Sequence, residues 1–367
     1  MTFRRPWGST ASSTAAASIL KKNVITDHRQ TDPTCKAAYS TGQNTVPGLQ
    51  TRNRLGLALG SGAARGLAHI GVIKVLEAEG IRPSAVAGTS IGALIGALYA
   101  AGVPAADMED VARSIDWRSL ARLVDPILPT RGLIDGRKIT RFFSELLPVR
   151  DFSELQIPLA MVATDVETGE SIVLRQGDLL SALRAAIAFP GIFPPVCFGD
   201  RYLVDGGLCH PVPAAIVREL GATRVLGICA IPEVDKSSHE AFLPGRSTTD
   251  RKVRSTPLLG ILNAERVEKL WRDIFGRRNG NRGEANGNRR PPNIFRVFAQ
   301  SVAIMENQIN ALRLAHDDID LLLRPQLAGV NLLEFHRAEE IIAAGETAAR
   351  LELTNIRKLA EPTGDGF

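Results

Sequence analysis

Short apolar runs and apolar residues at helical spacing follow one another along most of this chain. Residues 55–59 form a short apolar run, which is typical of a buried strand. Apolar residues then recur at helical spacing over 67–79, and Gly80 stands where a helix often ends. The same order returns with a strand over 83–87 and a helix over 93–101. This alternation predicts an α/β fold with a mostly parallel central sheet.

The alternating pattern continues towards the C-terminus. Further strands are predicted at 159–165, 170–174, 201–204, 224–230 and 319–323. Further helices are predicted at 179–188, 214–220 and 334–359, and an amphipathic stretch covers 298–314.

Composition separates one large domain from a tail and an insertion. Residues 1–50 are polar and aperiodic, which predicts a disordered tail. Residues 233–293 contain few apolar runs, and 277–292 carry five arginines and one glutamate, which predicts a basic, low-complexity insertion. The rest of 51–361 is expected to form a single domain.

Charge and hydropathy exclude several classes of protein. The formal net charge of +5 is modest, and no nucleic-acid partner is expected. No run reaches the roughly 20 uncharged apolar residues of a membrane span, and the N-terminus lacks the apolar core of a secretory signal. The four cysteines lack the C-x-x-C spacing of a metal site. We expect a cytoplasmic protein without metal or cofactor, and contact of the basic insertion with an anionic membrane surface stays open.

A serine lies at the predicted turn between the strand at 83–87 and the helix at 93–101. Gly88-Thr-Ser-Ile-Gly92 fits the pattern G-x-S-x-G, in which a nucleophilic serine is exposed on a sharp strand-to-helix turn. Glycines two residues to either side leave room for backbone and substrate, and the helix N-terminus favours developing negative charge. Ser90 is therefore a candidate nucleophile, although Gly88 and Gly92 also suit an ordinary turn.

A glycine-rich loop over 60–66 follows the first predicted strand. Its backbone N–H groups at Gly60, Ser61, Gly62 and Ala63 are candidates for an oxyanion hole, and Arg65 and Gly66 complete the loop. A Walker P-loop is excluded because the loop has no G-K-[ST].

Dinucleotide binding competes with this interpretation of the loop. The spacing of Gly60, Gly62 and Gly66 is one residue longer than the dinucleotide-binding pattern. The acidic partner of such a site could be Glu79, but that residue falls at the end of a predicted helix rather than of a strand.

A serine nucleophile needs a base, and Asp205-Gly206-Gly207 follows the predicted strand at 201–204. Burial could raise the pKa of Asp205 enough for the carboxylate to act directly. A Ser–Asp–His triad with Ser90, Asp205 and either His210 or His316 also satisfies the required chain order, although His210 lies only five residues after Asp205. In isolation, Asp-Gly-Gly is also a common turn.

In this order, the glycine-rich loop, Gly88–Gly92 and Asp205–Gly207 resemble the patatin-like phospholipase family, especially its bacterial members and the neuropathy-target-esterase type. The resemblance runs from about Leu55 to Leu359 and implies a three-layer α/β/α fold. It also implies a dyad of Ser90 and Asp205 without histidine. The chain departs from the family pattern at Arg184–Pro190, which lacks the usual serines, and at Cys209-His210, where many members carry asparagine.

The resemblance implies a phospholipase A or lysophospholipase, whose substrate is a phospholipid or a lysophospholipid. Two alternatives stay open on sequence alone. The protein could hydrolyse neutral lipids or small esters, or it could be a non-catalytic protein that binds a lipid or a partner.

Overall fold

The structure, a computed structural model, describes residues 54–115, 135–231 and 294–361. The predicted tail at 1–50 and the predicted basic insertion at 233–293 lie outside the described residues. Within the described ranges, eight strands form one sheet: β1 Leu55–Leu59, β2 Ala85–Thr89, β3 Leu159–Asp165, β4 Ser171–Leu174, β5 Val196–Phe198, β6 Arg201–Asp205, β7 Arg224–Ile228 and β8 Leu321–Leu323.

The sheet is parallel at its centre and antiparallel at one edge. The strand order is β5-β6-β3-β2-β1-β7-β8, and β4 also pairs with β3. Strands β3, β2, β1, β7 and β8 are parallel neighbours, whereas β4 and β6 run antiparallel to β3, and β5 runs antiparallel to β6. The predicted α/β fold with a mostly parallel sheet is thus confirmed.

Nine α-helices surround the sheet in the described ranges: α1 Ala68–Ala78, α2 Ile91–Ala100, α3 Ala105–Ser114, α4 Arg137–Leu146, α5 Leu179–Ala186, α6 Ala214–Glu219, α7 Ile294–His316, α8 Ala338–Leu351 and α9 Leu353–Ala360. None of the helices in these ranges is long and apolar enough to cross a membrane.

Successive side chains of the central strands point to opposite faces of the sheet, and a separate apolar core lies on each face. In β1, Leu57 and Leu59 join the larger core with α1, α2, α5 and α8, whereas Ala58 between them joins a smaller core with α6. Strand β3 behaves in the same way, since Met161 faces the larger core and Val162 the smaller. Two apolar faces that each need a helical layer produce the three-layer α/β/α arrangement.

The helices differ from the sequence prediction in three places. Helices α3 and α4 were not predicted, and the single helix predicted over 334–359 is two helices that meet at Glu352. Glu352 leaves helical geometry with φ −100° and ψ 11°, and it serves as the C-cap of α8 and the N-cap of α9.

Candidate active site

Ser90 occupies a strained turn between β2 and α2. Its backbone has φ 56° and ψ −123°, which is unfavourable for a residue with a Cβ atom. A Cβ atom on Gly88 would lie 2.4 Å from the carbonyl oxygen of Gly92, and a Cβ atom on Gly92 would lie 2.2 Å from that of Leu59. Both positions therefore require glycine, because the turn folds back on itself and on the end of β1. The turn leaves Ser90 half-buried as the N-cap of α2.

The sheet brings Asp205 to the same level as Ser90. Strand β3 lies between β2 and β6, and its neighbouring residues Val162 and Ala163 pair with Thr89 and Asp205, respectively. Strand β2 runs parallel to β3 and β6 runs antiparallel to it, so their C-terminal ends flank β3 on opposite sides at the same level. Two residues that are 115 positions apart in sequence thereby become neighbours.

The hydroxyl of Ser90 donates a hydrogen bond of 2.6 Å to Oδ2 of Asp205. The other carboxylate oxygen, Oδ1, accepts the backbone N–H of Gly207 at 2.8 Å. Asp205 is 1% exposed, and this burial raises its pKa to about 6, against the lowering effect of the hydrogen bonds from Ser90 and Gly207. The arrangement is that of a serine whose proton acceptor is a buried carboxylate of raised basicity.

Three further hydrogen bonds hold the two turns in place. The backbone N–H of Asp205 donates to the carbonyl of Ala188 at 3.0 Å, and the hydroxyl of Thr164 donates to the carbonyl of Asp205 at 3.0 Å. The hydroxyl of Thr89 donates to the carbonyl of His210 at 2.8 Å. The loops around the dyad are therefore fixed through their backbones.

The glycine-rich loop lies beside the serine turn, but only two of its four predicted donors are available. The N–H groups of Gly60 and Ser61 donate to Ile228 and Pro211 at 3.0 Å and 2.8 Å, which corrects the prediction that all four face an oxyanion. Those of Gly62 and Ala63 donate no hydrogen bond within the described residues. They are the remaining candidates from this loop.

Ala63 holds the loop in an unusual conformation. Its φ of 50° lies in the left-handed region, which costs a residue with a side chain about 1 kcal/mol. The loop also touches the serine turn, since a Cβ atom on Gly66 would lie 2.1 Å from Cγ2 of Ile91, the residue that follows Ser90. The requirement for glycine at Gly66 is therefore a packing requirement.

Arg65 links the glycine-rich loop to the segment that contains Val330. Its Nε donates to the carbonyl of Val330 at 2.9 Å. Burial lowers the pKa of Arg65, and the carboxylates of Glu306 and Glu334 act in the opposite direction. The guanidinium of Arg65 is thus held by a hydrogen bond and by interactions with two carboxylates.

Histidine supports the site without touching the dyad. His69 is fully buried, and its Nε2 lies 2.8 Å from the carbonyl oxygen of Gly60. Burial lowers its pKa to about 4, so the neutral ring donates Nε2–H to Gly60. Burial also lowers the pKa of His210 to about 4, and Nδ1 of His316 lies 2.8 Å from the carbonyl of Leu312. In the described ranges, no histidine is hydrogen-bonded to Ser90 or Asp205.

Glu306 on α7 is a site residue that the sequence interpretation missed. A Cβ atom on Gly207 would lie 2.5 Å from Oε1 of Glu306, so this carboxyl group lies directly over the turn that follows Asp205. Burial raises the pKa of Glu306 to about 8, and the charge of Asp205 raises it further, whereas Arg65 lowers it. Gly206 is equally confined, since a Cβ atom there would lie 2.3 Å from the carbonyl oxygen of Val162. At pH 7 the site thus holds one ionised and one protonated carboxyl group.

A signal for Glu306 is present in the sequence. Val302, Glu306 and Asn310 recur every four residues along one side of α7, and both Val302 and Asn310 are buried. An acidic residue at a buried position of an amphipathic helix has a functional or structural partner more often than not.

Comparison with known proteins identifies the family of the chain. The family model for patatin-like phospholipases matches residues 57–218, which include the glycine-rich loop, Ser90 and Asp205. An uncharacterized NTE family protein of Mycobacterium tuberculosis is 31% identical over 325 residues, which are 81% of this chain and 90% of that protein.

Two further proteins match a smaller part of this chain or match it at lower sequence identity. The human patatin-like phospholipase domain-containing protein 6 is 35% identical over 204 residues, which are 53% of this chain and 15% of that protein. The crystal structure of VipD from Legionella pneumophila matches 83% of this chain and 67% of its own, at 14% identity and a TM-score of 0.39. On the family match and the mycobacterial relative, the chain belongs to the patatin-like phospholipase family.

Proposed function

We propose that this protein hydrolyses carboxylic ester bonds of phospholipids or lysophospholipids through a dyad of Ser90 and Asp205. The observation that carries the proposal is the 2.6 Å hydrogen bond from the Ser90 hydroxyl to a buried carboxylate whose pKa is raised to about 6. Such a carboxylate is still ionised at pH 7, and it is a stronger base than an exposed aspartate. Membership of the patatin-like phospholipase family supports lipid esters as the substrate class.

Acylation begins when Oγ of Ser90 attacks the ester carbonyl carbon and its proton passes to Oδ2 of Asp205. The carbonyl oxygen becomes an oxyanion, for which the N–H groups of Gly62 and Ala63 are candidate donors. The N-terminus of α2, which begins at Ile91, also favours this negative charge. Collapse of the intermediate breaks the bond to the alcohol, and the departing oxygen takes the proton from Asp205.

Deacylation repeats these steps with water. Asp205 accepts a proton from the water molecule while the water oxygen attacks the acyl-serine carbonyl. The bond to Oγ of Ser90 then breaks, Ser90 recovers the proton, and the fatty acid leaves. The hydrogen bond from Gly207 to Oδ1 keeps the carboxylate oriented towards Ser90 throughout.

Hydrolysis of a lysophospholipid and of a short p-nitrophenyl ester by the wild type and by Ser90→Ala tests the proposal. We expect Ser90→Ala to lose about 10³-fold or more on both substrates, because the nucleophile is removed. Ser114→Ala, at an exposed position on α3, is the matched control and should behave as the wild type.

The other outcomes identify the alternatives. Wild-type activity that is confined to the short ester would indicate a small-ester or neutral-lipid esterase. Wild-type protein that hydrolyses neither substrate and does not react with a serine-directed phosphonate would indicate a non-catalytic lipid- or partner-binding protein.

A further inference from the structure

Helix α7, Ile294–His316, is attached by its inner side to the segment that carries Asp205. Glu306 lies over Gly207, two residues after Asp205. Two turns further on, Nε of Arg313 donates to the carbonyl of Cys209 at 3.0 Å. The helix therefore runs along the edge of the site, and its position is coupled to the turn that holds the catalytic base.

The start of α7 lies against another loop of the site. A Cβ atom on Gly191 would lie 2.6 Å from Cε1 of Phe298, so the Phe298 ring packs onto this glycine. Gly191 is three residues beyond Ala188, whose carbonyl accepts the backbone N–H of Asp205. Phe298, one of the exposed residues at the start of α7, thus lies next to a loop of the site.

Between Val297 and Leu312, the exposed side of α7 carries large apolar side chains and no charged one among the described residues, whereas Arg313 and His316 near its end are exposed. Its large apolar side chains are 42% to 64% exposed: Val297, Phe298, Ile304, Met305 and Leu312. They recur at intervals of seven residues, or two helical turns, and so form one stripe. Among the described side chains between 297 and 312, the other exposed residues are Ser301, Gln308 and Ala311.

Helices α8 and α3, two other surface helices among the described residues, carry charges on their exposed sides. The exposed positions of α8 include Glu339, Glu340 and Arg350, and those of α3 include Asp107 and Arg113. An uncharged apolar stripe on a surface helix marks a contact with an apolar partner. We name the residues Val297, Phe298, Ile304, Met305 and Leu312 the α7 stripe.

We propose that the α7 stripe docks on a phospholipid surface and brings the Ser90 site to substrate within that surface. The inference rests on the proposed function, because a lipid hydrolase has to meet a substrate that is aggregated rather than free. A helix that lies in a membrane interface inserts an apolar face of this kind among the acyl chains. The sequence just before α7 carries five arginines and one glutamate over 277–292, a charge that complements anionic headgroups.

Sedimentation with phosphatidylcholine vesicles, with and without phosphatidylglycerol, tests the docking surface. Binding is measured for Ser90→Ala, so that hydrolysis does not consume the vesicles, and for the same protein with Ile304→Glu, Met305→Glu and Leu312→Glu. We expect roughly 100-fold weaker binding for the second protein, since each half-exposed apolar side chain contributes roughly a factor of five. Leu351→Glu, at an 80% exposed leucine on α8, is the matched control and should bind like its parent.

Activity assays separate the docking surface from the chemistry. With Ser90 intact, the triple variant should hydrolyse a soluble p-nitrophenyl ester at the wild-type rate, which also shows that it is folded. Its hydrolysis of vesicle phospholipid should fall in proportion to binding. The milder pair Ile304→Gln and Met305→Gln should show a smaller loss in the same direction.

Equal vesicle binding by the triple variant and its parent would overturn the proposed docking surface. So would light scattering that shows a dimer for the wild type and a monomer for the triple variant. The latter result would assign the stripe to a second copy of the chain. Failure of the proposed function looks different: the wild type would bind vesicles through the stripe, but neither it nor the variants would release fatty acid.

Discussion

The hydroxyl of Ser90 donates a 2.6 Å hydrogen bond to Asp205, a residue that is 1% exposed. The pair joins a strained backbone at the serine to a desolvated charge at the aspartate. Both features cost folding free energy, and such costs are expected of the proposed nucleophile and its base. Sites that combine such costs are more often functional than structural.

Asp205→Asn should abolish ester hydrolysis and at the same time stabilise the protein at pH 7. The pKa of Asp205 is raised from 3.8 to about 6, so the folded protein holds its proton more tightly than the unfolded chain. Wild-type stability therefore falls as the pH rises from about 4 to about 6, by up to about 3 kcal/mol, and the cost persists above that range.

Thermal unfolding of the wild type and Asp205→Asn as a function of pH measures this effect. The two melting temperatures should be similar near pH 4, diverge up to about pH 6, and stay apart at higher pH, with the variant more stable. A variant that is less stable than the wild type at pH 7 would contradict a desolvated, ionised Asp205.

The pH dependence of kcat/KM should report both carboxyl groups of the site. Activity should rise with the ionisation of Asp205 at a pKa of about 6. It should fall as Glu306 ionises at a pKa of about 8, because a second negative charge beside Asp205 opposes the oxyanion. Arg65, the cation that faces Glu306, reduces this effect without removing it.

Glu306→Gln isolates the contribution of Glu306. Glutamine resembles the protonated carboxyl group, so activity at pH 7 should change by no more than a few-fold, about 1 kcal/mol in barrier. The fall above pH 8 should disappear, and the rise near pH 6 should remain. A variant that keeps the alkaline fall would show that another group causes it.

The histidines should divide into one that supports the fold and two that are dispensable for the chemistry. His69→Ala leaves the Gly60 carbonyl without its buried donor and should destabilise the protein by about 2–3 kcal/mol. It should also lower kcat, because Gly60 begins the glycine-rich loop that holds the candidate oxyanion donors Gly62 and Ala63. His210→Gln and His316→Ala should retain hydrolysis within a few-fold, and a loss of about 10³-fold in either would instead support a triad.

Ala63→Gly should stabilise the glycine-rich loop. At a φ of 50° glycine avoids the steric penalty of a Cβ atom, which outweighs the greater freedom of glycine in the unfolded chain by about 0.5 kcal/mol. Ala64→Gly is the control, because Ala64 has an ordinary φ and is fully buried, and it should destabilise by about 1 kcal/mol. Urea unfolding measures the free energy of unfolding of the wild type and both variants. An equal loss of stability in the two variants would argue against a strained backbone at Ala63.

Strands and helices that carry a clear apolar period could be predicted from the sequence. Strands β1 and β3 begin and end at the predicted residues. Every residue in them is buried, and β1 and the first five residues of β3 form continuous apolar runs. Strand β5 and helix α4 could not be predicted in this way. The first has only three residues, and the second buries a single side chain, Phe143.

Within the site, sequence reasoning could identify chemical types but not all contacts. The spacing of the glycines indicates Ser90 and the glycine-rich loop. It does not reveal that the N–H groups of Gly60 and Ser61 are hydrogen-bonded, because their acceptors lie far along the chain, in β7 and at Pro211. Glu306 reaches Gly207 only through the packing of α7, and local sequence contains no information on that contact.

The most direct test of the central claim is covalent labelling with a fluorophosphonate, mapped by mass spectrometry in the wild type and in Asp205→Asn. We expect an adduct on Ser90 in the wild type and labelling that is about 10³-fold slower in Asp205→Asn, because the proposed base for the serine is lost. An adduct on another residue, or equal labelling rates in the two proteins, would contradict a dyad of Ser90 and Asp205.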